Sequence, residues 1–217
     1  MKGDSWATRV MTGVVEATAL GFSKGPHLSR FAMYRALTRH RADPPPSARA
    51  LSISGSQGLC RMLGFSSEQV TEAAFPEASI LDLPFSNDTF DLLVSDQVLE
   101  HVEGDPRVGI AESLRVLKPG GVAVHTTCLI NPIHFGPGDF WRFTPDGLRL
   151  LVPEDVEVVE AEGWGNRFAC IALALSLRFV RIPLASWHPL HRLATWNDGK
   201  WLISTWIVLQ KPSTTSS

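Results

Sequence analysis

Residues 90–127 read FDLLVSDQVLEHVEGDPRVGIAESLRVLKPGGVAVHTT, and the spacing of their apolar residues changes twice. Residues 90–95 form an apolar run of strand length, the pattern of a strand covered on both faces. Residues 105–117 then set Val108, Ala111, Leu114 and Leu117 on one stripe at helical spacing. That helix is expected to end at Lys118-Pro-Gly-Gly121, a helix exit followed by a turn. Residues 121–127 are a second buried strand. Strand, helix, turn and strand make a βαβ unit, and such a crossover joins parallel strands. The expected class is therefore α/β: a doubly wound, mostly parallel sheet.

Working outward, residues 50–53 read as a short strand running into Ser54-Gly-Ser-Gln-Gly58. Ser66-Ser67-Glu68 is a helix-start signal, so residues 68–74 are expected to be helical. Residues 1–40 form a helical prelude, with Met11, Val14, Val15 and Ala19 on one stripe and Phe31, Met33, Tyr34 and Leu37 on the next. Pro44-Pro45-Pro46 excludes helix and central strand, leaving a stiff connector. The chain thus divides into a cap and connector (1–48), an α/β domain (49–211) and a frayed tail (212–217).

A net charge of −2 and 44% hydrophobic residues describe a globular chain without the basic balance of a nucleic-acid binder. Three cysteines, odd in number and far apart, exclude a disulfide framework, and no metal site is expected. His188 and His191, with Asp198 beyond, lack a convincing third ligand. No charged head leads into an apolar stretch at the N-terminus, so a cytoplasmic location is the expectation. The longest apolar run, 168–177, is about half of the ~20 residues a membrane span needs and reads as a buried helix. Arg178, Phe179, Arg181 and the neighbouring tryptophans leave a peripheral membrane contact as the alternative. A small-molecule partner is expected, and a homodimer is left open.

Four segments carry a family resemblance: Leu81-Asp-Leu-Pro-Phe85, Ser86-Asn-Asp-Thr-Phe-Asp91, Val98-Leu-Glu-His101 and Arg115-Val-Leu-Lys-Pro-Gly-Gly121. In order and spacing they resemble the class I S-adenosylmethionine-dependent methyltransferases. Asp139-Phe-Trp-Arg-Phe-Thr-Pro-Asp-Gly147 resembles a further signature of a subgroup associated with carbohydrate or secondary-metabolite modification. The resemblance covers roughly residues 49–151. It implies an S-adenosylmethionine cofactor at the carboxyl ends of the strands. Ser54, Gly55, Ser56 and Gly58 would pass under its methionine part. Asp82, after a strand near 79–81, would accept from the adenine amino group, and Leu83 would offer its backbone N–H. Ser95, Asp96 and Gln97 would stand beside the transferred methyl. Residues 202–210 would join an antiparallel edge pair, and the N-terminal segment would close over the site.

The cofactor half departs from the family pattern. Ser52 stands at the usual acidic position, and Ser54 and Ser56 replace two glycines of the loop. A Cβ there crowds the ligand or opposes positive φ. The span from Gly58 to Asp82 is short, placing Gly64 or Phe65 where the ribose-binding acid belongs, with Glu68 or Glu72 as substitutes from the helix. The second reading is accordingly a methyltransferase-fold protein with a degenerate cofactor loop, acting as a non-catalytic binding partner or as a non-methylating enzyme. A dinucleotide oxidoreductase is the third, but Gly-x-Gly-x-x-Gly is absent.

Methyl transfer from a sulfonium needs alignment above all, and a base where the acceptor is a hydroxyl or protonated amine. His101 and His134 are the candidates, following strands that end near the acceptor; His125 reads as a core histidine. Asn131, Asp139, Trp141 and Arg142, with Phe135 and Phe140 nearby, form an acceptor loop or a loop pinned to the core by its own Asp–Arg pair. Tyr34 completes the acceptor set from the cap. The expected reaction is O- or N-methylation of a small polar acceptor, a sugar or secondary metabolite.

Overall fold

β-branched and leucine runs without alternation build the centre of the molecule, because both faces of the strands they form are covered. The computed structural model describes residues 6–134 and 136–213. The elements begin with α1 (Trp6–Ala17), β1 (Lys24–His27), α2 (Leu28–Leu37), β2 (Ala50–Ile53), α3 (Gln57–Met62), β3 (Val70–Ala73) and β4 (Phe90–Asp96). They continue with α4 (Pro106–Val116), β5 (Leu117–Cys128), α5 (Pro145–Arg149), β6 (Glu157–Trp164), α6 (Arg167–Ala174), β7 (Arg181–Pro183), α7 (Pro189–Thr195) and β8 (Ser204–Gln210). Phe135, expected as an aromatic face of the acceptor loop, and residues 214–217, expected as frayed, lie outside the described residues.

Six strands form one sheet in the order β3-β2-β4-β5-β8-β6. β2 pairs in parallel with β3 and β4, and β4 in parallel with β5. β8 runs the other way: Gly120 bonds to Lys211 at one end of β5, and Ile130 bonds to Leu202 beyond the other. The mostly parallel sheet with an antiparallel edge is thus present. Leu51, Ile53, Leu93, Ala123, Ile207 and Leu209 form one cluster with Ile110, Leu114 and Val116 of α4. Asp105 caps α4 by accepting from the Arg107 N–H, and Pro106 occupies its first turn, where no N–H is needed.

Three segments in and beside this sheet differ from the expectation. Residues 68–74 are not helical. The box between Ser66 and Gln69 closes only a single 3-10 turn, Ser67–Gln69, and Val70–Ala73 is a strand. β-branched Val70 and Thr71 suit that strand, and pairing with Ala50–Ile53 decides it. Residues 79–81 form no strand; Ser79 and Asp82 make only an isolated bridge across a turn. Lys118-Pro-Gly-Gly121 lies within β5 rather than outside it. Phe90 faces Leu117 and Leu92 faces Val122, so the extra residues bulge, with Gly120 at φ +77°.

The chain divides into two compact units. Among described residues one comprises 6–36, 130–132 and 163–204; the other comprises 37–129, 133–162 and 205–213. In the first, β1 and β7 pair antiparallel, and Phe31, Met33, Leu173, Val180 and Ile182 are buried. His188 contacts the Thr18 carbonyl and His191 the Pro183 carbonyl, so both are structural. The run 168–177 is not wholly buried: Ala169 and Leu173 face inward, whereas Phe168, Ile171 and Leu175 are exposed. No helix among the described residues is long and apolar enough to cross a membrane.

Candidate functional site

β2 ends at Ile53, and the next residue turns sharply. Ser54 has φ +49° and Gly55 φ +88°. Glycine is required at residue 55, whereas Ser54 carries strain that glycine would not. The Ser54 N–H reaches the Ala73 carbonyl at 2.9 Å, tying the turn to β3. Ser56 is buried; its hydroxyl donates to Ile53 O at 2.6 Å and accepts from the Asp96 N–H at 2.7 Å. A residue at a glycine position thus pegs the end of β2 to the end of β4. Gly58 sits within α3.

The acid absent from Ser52 lies one strand over. Ser52 pairs across the ladder with Glu72 of β3. Glu72 Oε1 accepts from the Gly55 N–H at 2.5 Å, and Glu72 Oε2 is buried with no hydrogen-bond partner among the described residues. Reading residues 68–74 as helix hid this placement; Val70-Thr71 was the available strand signal. Cys60 is buried beside this acid, and burial, with the Glu72 charge second, pushes its thiol up to about 12, which leaves it unreactive.

At the end of β4 the three expected residues separate. Ser95 is interior and contacts His125 Nδ1 at 2.7 Å. His125 is fully enclosed, its Nε2 has no partner, and burial lowers its pKa to about 4, so the ring is neutral near pH 7. Asp96 Oδ1 accepts the Thr126 hydroxyl at 2.6 Å. Gln97, held at φ +61° by a bond from its N–H to Thr126 O, is the one of the three that reaches the cavity described below.

The turn at 81–85 is braced from α4. Glu112 accepts the Leu83 N–H at 3.0 Å, and Arg115 donates to the Leu83 and Phe85 carbonyls. Hydrogen bonding to Arg115 holds the Glu112 carboxyl below its ordinary range. The Leu83 N–H is therefore engaged within the protein, and its side chain is buried. Asp82 is exposed, and the cavity wall at this turn is Leu81.

The loop after β5 is bracketed by Asp139, whose side chain is 1% exposed. It pairs with Arg142 through both carboxylate oxygens and accepts the His134 N–H at 2.9 Å. The Arg142 guanidinium holds the Asp139 carboxyl well below the usual range. Trp141 donates its indole N–H to Val102 O at 2.9 Å, and the Phe140 and Trp141 N–H groups both reach Glu100 O. A Cβ at Gly138 would lie 2.2 Å from the Phe140 ring, which would then have to move. This bracketing sets the His134 ring against His101, edge to face, 4.8 Å between centroids. His101 Nδ1 donates to the Gly138 carbonyl. Asn131 and Tyr34 belong to the first unit, Tyr34 on α2.

Glu100, His101 and His134 bring one donor atom each within 4.8 Å of one another. Two histidines and a carboxylate are a transition-metal donor set, but ligands of one tetrahedral ion with bonds near ~2.1 Å stand only ~3.4 Å apart.

A cavity of about 400 Å³ opens at the carboxyl ends of β2, β3 and β4. Ser54, Phe75, Ser79, Leu81, Gln97 and His101 are among its walls. Its size and position are those of a small-molecule site in an open α/β sheet.

Residues 40–125 match a family model described as a methyltransferase domain. A rice (Oryza sativa subsp. japonica) protein named 2-methyl-6-phytyl-1,4-hydroquinone methyltransferase 1, chloroplastic, is 44% identical over 86 residues, covering 39% of this chain and 23% of that protein. The chain spans about a quarter of the length of the curated relatives it matches. Among solved structures, geranyl diphosphate methyltransferase in complex with SAM aligns with a TM-score of 0.53 and 16% identity, over 97% of this chain and 92% of that one. The [4+2]-cyclase SpnF aligns with a TM-score of 0.54 and 16% identity, over 95% and 96%. At that identity the likeness is one of fold.

Proposed function

We propose that this chain is a class I S-adenosylmethionine-dependent methyltransferase that methylates a small acceptor bearing a hydroxyl or amine, a reading supported by its match to a methyltransferase domain and by its fold. The observation carrying this reading is the cavity, which has Ser54 and His101 among its walls. Next to Ser54 in the chain, the Gly55 N–H is held by Glu72, whose Oε2 is buried and without a partner among the described residues. A buried carboxylate oxygen left without a donor is costly, and the ribose diol of S-adenosylmethionine supplies donors. The residues present therefore fit the cofactor. Glu72 would hold the ribose, the Ser54–Gly55 turn and Gln97 the methionine part, and Phe75 and Leu81 the adenine. The cofactor would supply a methyl carbon on a sulfonium sulfur, with the neutral thioether as leaving group.

His101 lines the cavity and is assigned the base. Donation from its Nδ1 to Gly138 O leaves Nε2 as the lone-pair nitrogen, able to take a proton from the acceptor. His134 buttresses that ring, and Asp139 with Arg142 fixes His134 in turn. The acceptor loop works here as scaffold, with Gly136 and Pro137 in the cavity wall and His134 against the His101 ring.

Titration calorimetry with S-adenosylmethionine tests the reading. The wild-type chain should bind it, and Glu72→Ala should bind ~10–100-fold more weakly, the loss of a charged hydrogen bond at ~1.5–3 kcal/mol. With a hydroxyl acceptor, His101→Gln should lower kcat by ~10²–10⁴ while cofactor affinity is kept, and EDTA should leave the rate unchanged. The second reading, a chain of this fold without methyl transfer, draws on the strained Ser54 turn and on the fold being shared with a protein titled a cyclase. Absence of cofactor binding would select it.

A further inference from the structure

The chain's net charge of −2 conceals two strongly and oppositely charged units. The unit made of residues 6–36, 130–132 and 163–204 carries nine lysines and arginines against two carboxylates, Glu16 and Asp198, a net charge of +7. The other described residues carry ten against nineteen, a net charge of −9. A charge asymmetry of this kind points to an anionic partner for the basic part.

The same basic unit displays large apolar side chains to solvent. Trp187 is 68% exposed, Phe179 65%, Phe168 and Ile171 55%, Trp201 44% and Trp196 43%. On α6 and its C-cap the exposed residues are not scattered. Phe168, Ile171 and the C-cap Leu175 recur at helical spacing, opposite the buried Ala169 and Leu173. The helix is apolar on both sides, and one side is left without cover. Phe168 packs on Trp196, with 5.7 Å between ring centroids, so the stripe continues onto a tryptophan. The Arg178 guanidinium lies 4.8 Å over the Phe179 ring. Arg167, Arg181, Arg192 and Lys200 occupy the same stretch of chain, where Asp198 is the sole carboxylate.

We propose that this unit docks on an anionic lipid bilayer surface. Tryptophan and phenylalanine favour the level of the headgroups, and leucine and isoleucine the acyl boundary below it. Each lysine or arginine near an anionic leaflet adds about 1 kcal/mol. Attachment is by lying on the surface, since no helix of the described residues can span it. Nucleic acid explains the cations but not Ile171 and Leu175, for a phosphate backbone offers aliphatic side chains nothing. A second copy meeting the same face would set +7 against +7. The inference is independent of the methyl-transfer reading.

Cosedimentation of the full chain with vesicles tests it, using phosphatidylcholine with and without phosphatidylglycerol. Binding should be at least ~10-fold tighter to the anionic vesicles and should fall as salt rises from ~0.1 to ~1 M, where the screening length shrinks from ~10 to ~3 Å. Tryptophan emission should shift to the blue on binding. The double variant Arg192→Glu with Lys200→Glu should weaken binding ~10–100-fold. Ile171→Ser should weaken it by ~3–10-fold, with far-UV circular dichroism confirming that each variant is folded. No binding of the wild-type chain to anionic vesicles at low salt overturns the proposal. So does tighter binding to a short random DNA duplex that Ile171→Ser leaves unchanged, or a dimer that buries the tryptophans and excludes vesicles.

Discussion

Two loops of the sheet unit stand at the proposed site, and they are held in opposite ways. The loop after β2 is fastened by the Ser56 hydroxyl and by Glu72, whose second oxygen has no partner. The loop after β5 is fastened by Asp139, both of whose oxygens are taken by Arg142 and His134. A polar group with all its bonds made inside the protein is scaffold; one with a bond to spare is open to a ligand. For that reason the proposed ribose contact falls on Glu72, while Asp139 acts by fixing His134.

The contrast is open to direct attack. Asp139→Asn breaks a buried ion pair and should cost about 3–5 kcal/mol. At ~2–4 °C per kcal/mol for a chain of this size, a melt should fall by roughly 6–20 °C. An unchanged melt would remove the distinction between the two loops.

Acid is the next lever. His125 stays neutral inside down to about pH 4, whereas the unfolded chain protonates it near its ordinary 6.5. The unfolded state then binds more protons between these values, so stability should be full above pH 6.5 and decline toward pH 4, by about 3 kcal/mol. Asp139, with its carboxyl lowered, adds a further loss only below the ordinary aspartate range. Urea midpoints measured across that interval check the sign; a midpoint that rises on acidification would contradict it.

Ser56→Ala removes one hydroxyl bond and strands the Asp96 N–H, for about 2 kcal/mol. Chemical denaturation should register this, and a neutral result would show that water replaces the peg. Smallest of all, Ser54→Gly relieves a left-handed backbone and should raise stability by up to ~1 kcal/mol. A loss there instead would mean that the weak contact from the Phe75 N–H to Ser54 Oγ, at 3.5 Å, outweighs the strain.

Residues 90–127 determined the sheet because a βαβ unit is a local object: its strands, helix and crossover lie within one stretch, and the apolar period reports each. The motifs at 81–85 and 115–121 were legible as words, but their relation was not. Arg115 bracing the Leu83 and Phe85 carbonyls is a contact made across the fold. Residues 68–74 misled because a helix-start signal and a four-residue strand can share the same letters; pairing with β2 chose the strand and so put Glu72 beside Gly55. His101 and His134 stand far apart in the chain, and only the bracket from Asp139 sets their rings together. The charge division escaped the composition for a similar reason. The basic residues come from two stretches far apart in the chain, and a sum over the whole chain cancels what folding segregates. Local pattern reports the elements, because backbone propensity and burial act over a few residues. Tertiary structure alone decides which side chains meet, because that depends on strand order and on which buried polar atoms find a partner.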